Sequence, residues 1–431
     1  MIIICLLISV SLLLIGLVID KQKYSPYFVF NTLWSLIFTM ILINPLELFA
    51  ISDLTLSIFL TGQLLFNVTS MLISSKNKSR IKNTIKTAGE NINTGRLIFI
   101  QLVLIATLIP LLIDTIPIIV NQGFLELRTY YVQSQNNFMS ATERLFYIHL
   151  LVFPAITATA MIAALLWSLK KISFSKFSIS ILSIVLIILV TASRLYLFNF
   201  LLIIIFTFMI SGSLKKRKIE KRAQRLRIVM LSLIIIVPVL VLVTLDRSVS
   251  TSGGITSIFK TIVVYFTGGS HMFDVAINNR THYGLLDYTY GSTFIAGILN
   301  IPFIFLSKFP GFGFWDYFPT DLASKYLVGS TTIGAETEMN AFATIYYFFM
   351  RDFGYLGIIV YTIIFASITT HLYNKIRKEK HFFTTLLYVH FLIVIVYSAN
   401  WWEFYRMEAW TTVIMLYIIL FLTKQKKEVK I

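Results

Sequence analysis

The stretch LLIIIFTFMISGSLKKRKIEKRAQRLRIVMLSLIIIVPVLVLVTL, residues 201–245, decides the fold. Its central segment, Lys215–Arg227, holds eight cations between two apolar runs. Each run is close to the ~20 residues that a helix needs to cross a hydrocarbon core. The pattern recurs along a chain of 431 residues that is 57% hydrophobic, with a mean hydropathy of +0.80. The sequence therefore predicts an all-α polytopic membrane protein.

Hydropathy predicts about eleven transmembrane helices. The first run lacks a basic leading region and a small-residue cleavage site, so we expect it to be retained as a helix. The single cysteine, Cys5, lies inside this run, so no intramolecular disulfide is expected. The predicted spans lie near residues 2–19, 27–43, 54–74, 97–118, 145–169, 177–193, 196–212, 228–245, 355–373, 383–399 and 409–423.

The polar segments between these runs alternate between strongly basic and almost neutral. One side collects 27 of the 37 Lys and Arg residues and only 5 of the 20 acidic residues. The positive-inside rule then predicts that the N-terminus is outside and the C-terminus inside. The net charge of +17 is thus a topology signal, and no nucleic-acid partner is expected. Seven of the ten remaining cations are Arg, the residue suited to bidentate phosphate binding.

The spans and loops divide the chain into four predicted regions. No cytoplasmic segment is long enough to fold a nucleotide-binding domain, and neither a P-loop nor a GxGxxG motif is present. The regions are an eight-helix membrane bundle (1–245), a long extracytoplasmic loop (246–354), three C-terminal membrane helices (355–423) and a basic cytoplasmic tail (424–431).

The long outer loop is expected to be structured. Apolar stretches at 258–266, 291–306 and 341–350 are short for full spans and are interrupted by Gly, Asn or Pro. We interpret them as interfacial or re-entrant helices, since irregular backbone at membrane depth requires protein or a wet cavity around it. The alternative is two further ordinary spans at 291–306 and 338–353.

The arginines of the predicted outer side are candidate functional residues. Arg194, in VTASRLYLFNF, stands between two apolar runs, where a charge is costly unless it is paired or hydrated. An interfacial anchor that snorkels to the headgroups is the alternative for Arg194. Arg247 is adjacent to an acidic residue that is able to pair with it, and Arg280 lies in the polar stretch INNRTHYG. For Arg351 and Arg406, salt bridges at the rim are the alternative to substrate binding.

Candidate general bases are acidic and histidine side chains of the outer side. Glu336 and Glu338 lie in GAETEMNAF; if this segment is helical, their i, i+2 spacing lets only one of them point inward. Asp352, His271 and His282 are further candidates, although an outer-loop histidine is more often solvated than catalytic. The sequence holds no HExxH and no Cys/His ligand set, so neither a metal nor a cofactor is predicted. It also holds no GxSxG nucleophile elbow.

Two segments of the chain carry recognisable motifs. In DYTYGSTFIAGILNIPFIFL (Asp287–Leu306), Tyr-Gly-Ser opens an apolar stretch that reaches Ile-Pro. In NAFATIYYFFMRDFGYLG (Asn340–Gly357), Asn-x-Phe leads through aromatics to Asp-Phe-Gly. Together with the span number and the long outer loop, these motifs resemble the Wzy-type O-antigen/capsule repeat-unit polymerases. Two positions depart from that family's pattern: Phe303 replaces a frequent basic residue, and Ala343 replaces a frequent Thr.

The resemblance implies a GT-C-like glycosyltransferase acting on the outer face of the bacterial cytoplasmic membrane. Its substrates would be polyprenyl-diphosphate-linked oligosaccharides, and a terminal sugar hydroxyl would attack the anomeric carbon and release the polyprenyl diphosphate. The resemblance then gives Arg194, Arg247 and Arg280 the stabilisation of the diphosphate and Glu336 or Glu338 the role of base. The residues expected to bind substrate are Tyr290, Asn340, Arg351, Asp352, His282 and Arg406.

The resemblance also implies a flippase and a chain-length regulator as partners, besides membrane lipids. Two other functions stay open at this point. An O-antigen-ligase-like or other GT-C-like transferase would use the same arginine chemistry with a different acceptor. A lipid-linked-oligosaccharide flippase would instead show internal repeats, charged residues at mid-membrane and short outer loops.

Overall fold

The chain folds mainly into helices, as the sequence predicts. The computed structural model describes residues 1–20, 22–75, 92–132, 145–214, 254–306, 318–327, 329–335, 337–340, 342–378 and 381–424. Its helices are α1 (Ile2–Ile19), α2 (Pro26–Ile43), α3 (Asp53–Ser75), α4 (Thr94–Val132), α5 (Val152–Ser168), α6 (Phe174–Thr191), α7 (Arg194–Leu214), α8 (Gly254–Asn278), α9 (Ala296–Leu306), α10 (Pro319–Ser324), α11 (Ile345–Lys378), α12 (Phe382–Tyr397) and α13 (Met407–Thr423).

Shorter elements complete the secondary structure. A two-stranded antiparallel hairpin pairs β1 (Ser330–Thr332) with β2 (Glu338–Asn340). A π-helical turn (Leu145–Leu150) precedes α5, and 3-10 turns follow α10 (Lys325–Leu327) and precede α13 (Glu403–Tyr405).

Eight helices of the described ranges, α1–α7 and α11, are long and apolar enough to cross a membrane, with α5 counted together with the π-helical turn from Tyr147. Helices α12 and α13 are apolar but shorter, with 16 and 17 residues. The multi-pass membrane class is thus confirmed. The predicted span at 228–245 lies outside the described residues. Two predicted spans are longer than expected, because 97–118 belongs to α4 and 355–373 to α11.

Both of these long helices contain a break. In α4 the break falls at Gly123, which has a φ of 84°. In α11 it falls at Phe353 and Gly354, where Gly354 has a φ of 60° that favours glycine. A short helix, 345–352, therefore precedes the membrane-length helix that follows the break.

The first compact unit comprises Met1–Lys82, Lys260–Lys380 and Leu387–Trp410. Within it, α1 packs on α2, and α3 packs along α11. A buried amide network links the first three helices. The Asn31 amide donates to Asn67 at 2.7 Å, and the Gln63 amide donates to Asn31 at 2.9 Å and to Ser9 at 2.7 Å. Hydrogen bonds of this kind hold helices together where lipid offers no alternative partner.

The two ends of this unit carry different loops. At one end, the Arg377 guanidinium pairs with the Asp20 carboxylate at 3.0 Å, and Tyr373 also donates to that carboxylate. At the other end, the α2–α3 connection meets the hairpin, where Phe49 N–H donates to Ile333 O at 2.9 Å. Arg377 belongs to a predicted basic loop, and its partner Asp20 follows the end of α1.

The second compact unit comprises Asn83–Phe259, His381–Leu386 and Thr411–Ile431. Its centre is α5, whose residues from Val152 to Ser168 are all buried. Helices α6 and α7 pack on α5, and α4 packs on α6. Near the end of α13, Asn93 N–H donates to Thr423 O at 2.7 Å.

The described part of the predicted outer loop is structured, but its elements differ from the expected ones. The apolar stretch 258–266 belongs to α8, which has 25 residues. The stretch 291–306 yields only the 11-residue α9, and 338–340 is a strand, so neither of the two alternative spans forms there. Glu338 opens β2, and the helix considered for this segment is not observed.

Candidate functional site

The candidate site is organised by two adjacent charged residues at the end of the short helix 345–352. Arg351 is 2% exposed and Asp352 is fully buried. Instead of pairing with each other, they bind different parts of the loop between α8 and α9. Arg351 was considered for a salt bridge at the rim, but its described hydrogen-bond partners are backbone carbonyl groups.

Arg351 binds backbone carbonyl groups. Its guanidinium donates to Gly284 O, to Asp287 O at 3.1 Å and to Leu322 O at 3.0 Å. Its Cζ atom also lies 4.9 Å from the centroid of the Tyr326 ring. The planar fork of five donors suits this task, and it joins the loop to α10. Both terminal nitrogens are engaged, while Nε is buried with no described hydrogen-bond partner. The expectation that Arg351 binds substrate stays a prediction.

Asp352 binds donors of the same loop. Its Oδ1 accepts from Thr289 Oγ1 at 2.5 Å and from Thr293 N–H at 3.0 Å, and its Oδ2 accepts from Phe294 N–H at 2.8 Å. Thr289 N–H in turn donates to Arg351 O at 2.9 Å. The Tyr-Gly-Ser and Asp-Phe-Gly segments, far apart in sequence, therefore meet through one carboxylate. Asp352 was expected to bind substrate, and its carboxylate is occupied by the protein itself.

Further hydrogen bonds fix this loop. Tyr347 Oη donates to Tyr283 O at 3.0 Å, and Tyr283 Oη lies 3.0 Å from Thr331 Oγ1 on β1. Tyr326 Oη donates to Asp287 Oδ2 at 2.6 Å, and this hydrogen bond raises the pKa of Tyr326. The loop is thus held by α10, α11 and the hairpin.

The loop presents aromatic side chains at its surface. Tyr290, expected to bind substrate, is 76% exposed and has a φ of 50°. Its ring lies 6.4 Å from that of Tyr288 and 6.2 Å from that of Phe353, edge to face in both cases. Exposed aromatic faces next to polar groups suit contact with sugars or with lipid headgroups.

Arg280 lies at the start of the same loop and is half-buried. Its Nη2 donates to Tyr355 Oη at 2.5 Å, and its Cζ lies 5.3 Å from that ring's centroid. Its Nε donates to Ile277 O at 3.3 Å. His282, two residues on, is exposed and packs edge to face on Tyr283 with 4.8 Å between ring centroids. Arg280 is thus a positioned cation at an accessible surface, and a guanidinium of this kind is able to bind an anionic group.

The turn after α12 supplies a second cationic centre. Arg406 Nη1 lies 3.7 Å from Glu403 Oε1, and its Nη2 lies 3.1 Å from Glu408 Oε1. Trp401 Nε1 also donates to Glu403, whose pKa is raised by burial and lowered less by Arg406. Arg406 is therefore compensated by two carboxylates. Arg406 thus forms salt bridges, as the alternative from the sequence had it. The expectation that Arg406 binds substrate stays a prediction.

This turn is joined to the loop by Trp402. Its Nε1 donates to Phe294 O at 2.7 Å, and the two rings stack with centroids 4.9 Å apart. Phe294 is also the residue whose N–H binds Asp352. One aromatic contact therefore connects the Arg406 turn to the loop that Asp352 holds.

The other predicted residues are placed as follows. Glu338 is exposed and accepts from Ser330 Oγ across the hairpin at 2.5 Å, while Asn340 ends β2 opposite Ser330. Arg194 is half-buried at the first residue of α7, in the second unit, after Ala192 ends α6 with a φ of 47°. Arg247 and Glu336 lie outside the described residues.

Sequence reasoning singled out His271 on α8 but missed the polar centre around Asp274 on the same helix. Asp274 accepts from Ser52 N–H at 3.0 Å, from Ser52 Oγ at 2.5 Å and from Asn278 Nδ2 at 3.3 Å. The signal was present in the sequence, because His271, Asp274 and Asn278 follow an i, i+3, i+7 spacing on one helix face. The partner Ser52 comes from a distant connection, which no spacing rule indicates.

The residues of this site offer no obvious metal centre. Among the described residues, no group of three His, Cys, Asp or Glu side chains is arranged to hold a metal ion. No protein-family model, no curated protein and no solved structure matches the chain.

Proposed function

We propose that the chain polymerises polyprenyl-diphosphate-linked oligosaccharide repeat units into a surface polysaccharide. The observation that carries the proposal is the convergence at Asp352. The two segments that resemble repeat-unit polymerases form one loop assembly, and Arg280 and Tyr290 are displayed beside it. A shared structural role for both motifs is the expected result if the resemblance is meaningful.

The proposed reaction is a glycosyl transfer. A sugar hydroxyl of one lipid-linked unit attacks the anomeric carbon of the growing glycan, and the bond from that carbon to the diphosphate breaks. The polyprenyl diphosphate leaves with the electron pair, and the hydroxyl proton passes to a base. The donor is already activated, so ATP is not needed. Cations must hold the charge that develops on the diphosphate.

Arg280 is the described arginine best suited to that task, because it is accessible, positioned and not ion-paired by a described carboxylate. The roles that the sequence analysis gives to Arg194 and Arg247 stay predictions. The proposed site faces the outside of a bacterial cytoplasmic membrane, with the N-terminus outside and a GT-C-like arrangement. A flippase would supply the lipid-linked units, and a chain-length regulator would act on the product.

Complementation of a strain that lacks the protein tests the proposal, with glycan length read on a gel at matched membrane expression. Wild type should give a ladder of polymer lengths. Arg280→Ala should cut the rate about 10²–10³-fold, because a charge-stabilising donor is lost, and Arg280→Lys should restore little of it. Arg194→Ala is tested beside it.

Arg96→Ala is the matched control. Arg96 is exposed, donates to Leu422 O at 3.4 Å and lies in a predicted cytoplasmic loop, so its loss should leave the ladder intact. A full ladder from Arg280→Ala would remove this arginine from the site. If wild type transfers finished glycan onto another acceptor and makes no ladder, the chain is a ligase-like transferase and the polymerase proposal fails.

A further inference from the structure

Neither of the two candidate carboxylates that the sequence singled out and the structure describes is well placed to act as the base. Asp352 is buried and its oxygens accept three hydrogen bonds. Glu338 is exposed on the hairpin, and its Oε2 is engaged by Ser330. A general base needs a free acceptor atom in an environment that controls its protonation. A different side chain of the first unit, His271, meets this requirement.

His271 has a tautomer that its surroundings fix. The residue is 4% exposed on α8, and its Nδ1 lies 2.9 Å from Thr267 O. A carbonyl oxygen only accepts hydrogen bonds, so Nδ1 must carry the hydrogen. In the neutral ring Nε2 is then the acceptor, and no described residue is hydrogen-bonded to it. This is the tautomer that a general base uses, with one nitrogen anchored and the other open.

Burial also favours the neutral ring that a base needs. Burial lowers the pKa of His271, against smaller opposing effects from the Thr267 hydrogen bond and the nearby Asp274. Among the described residues, Asp274 is the charged group that acts on the ring. It lies about one helical turn away and, as an anion anchored by Ser52, it would stabilise the imidazolium formed when Nε2 takes a proton.

Close to His271 in the chain, α8 meets the turn that follows α12. At Gly269 a Cβ would lie 2.4 Å from Ala399 O, so α8 approaches the turn after α12 closely. Ser270 Oγ and Asn400 Oδ1, on the two sides of this approach, are buried and lack a described hydrogen-bond partner. Buried polar atoms of this kind usually have a water or ligand partner. Asn278, on the same helix face as His271, is exposed.

From this geometry we propose that His271 Nε2 accepts the proton of the attacking acceptor hydroxyl. The proposal rests on the glycosyl transfer proposed above. As the acceptor oxygen bonds to the anomeric carbon and the diphosphate leaves with its electron pair, the hydroxyl proton moves to Nε2. The imidazolium then returns this proton to water.

The test uses the full-length protein in nanodiscs, with the lipid-linked repeat unit isolated from the strain that lacks it. His271→Gln and His271→Ala should lower the turnover about 10²–10⁴-fold at matched monodispersity. Wild-type kcat/KM should fall with unit slope below the pKa of the ring, and this limb should be absent in the variants. Added imidazole should restore part of the His271→Ala activity. His371→Gln, an exposed histidine on α11, is the matched control and should be unchanged.

Each outcome decides between distinct explanations. The role of His271 as the base is supported if the variants lose turnover, if imidazole restores part of it, and if their kcat/KM no longer falls at low pH. If the variants lose turnover, imidazole restores none of it, and the residual kcat/KM still falls at low pH, His271 has a structural role and the inference is overturned. Variants within about threefold of wild type overturn it too, and the polymerase proposal then stands. If wild type joins no units, both fall, while ¹⁵N-histidine spectra still report whether Nδ1 holds the hydrogen.

Discussion

Replacing Asp352 by Asn tests whether one carboxylate holds the two motif segments together. The carboxylate accepts from two backbone N–H groups and the Thr289 hydroxyl, while the residue is fully buried. An Asn side chain has only one acceptor oxygen, and its amide would face a backbone N–H that cannot accept. In either amide orientation, the N–H of Thr293 or of Phe294 therefore loses its partner.

The expected cost follows from these contacts. A buried donor left without a partner costs about 1–3 kcal/mol, and the loss of charge assistance weakens the remaining bonds. We expect Asp352→Asn to lower the free energy of unfolding by about 2–4 kcal/mol. The same loss of local stability should speed amide hydrogen exchange at Thr293 and Phe294 by roughly 30–1000-fold, at tenfold for each 1.4 kcal/mol.

Hydrogen exchange by mass spectrometry and SDS-induced unfolding in mixed micelles measure these two quantities. Asp53→Asn is the control, because it makes the same chemical change at a side chain that is 82% exposed. It should shift the unfolding free energy by less than about 0.5 kcal/mol. Suppose that Asp352→Asn leaves amide exchange at Thr293 and Phe294 unchanged and the unfolding free energy within about 0.5 kcal/mol of wild type. The conclusion that the Asp352 carboxylate holds the two motif segments together would then be refuted.

Three further changes test other parts of the first unit. Burial raises the pKa of the Glu403 carboxyl, so the folded state holds that proton more tightly and stability should fall as pH rises from the unfolded value through the raised one. Glu403→Gln should flatten this dependence in thermal unfolding between pH 4 and pH 8; an equally steep profile contradicts it. Gly357→Ala brings a Cβ to 2.1 Å from Phe349 O and should cost about 1–3 kcal/mol by the same SDS assay, and a neutral result would exclude so close an approach. Asn67→Ala removes the partner of the Asn31 amide and should cost about 0.6–2 kcal/mol, whereas increased stability would show that the network is not needed.

Much of the membrane architecture could be predicted from hydropathy, because a lipid core imposes a simple length rule on helices. Helices α1, α2 and α3 begin and end within about two residues of the predicted spans. Length and composition could not reveal that α11 continues backwards through Gly354 into a buried short helix. That extension depends on contacts with the α8–α9 loop, which lies some sixty residues earlier in the chain.

The candidate site was only partly accessible to sequence reasoning. Arg280 and Tyr290 were singled out by residue type, and the structure leaves both at an accessible surface. Arg351 and Asp352 were selected by the same reasoning, and the structure buries them, because backbone carbonyls and amides of a distant loop satisfy their charges. A charged residue next to a motif looks the same in sequence whether it meets a ligand or a loop.

The sequence by itself determined the class of the protein, since apolar length and the alternation of basic loops depend only on local composition. Only the tertiary structure decided which polar groups are already hydrogen-bonded to other parts of the protein. The His271 tautomer is set within one helix, yet its importance depends on Asp274 being anchored by Ser52, a partner more than two hundred residues away. Free acceptor atoms are identified only when every neighbouring donor is known, and those donors come from remote parts of the chain.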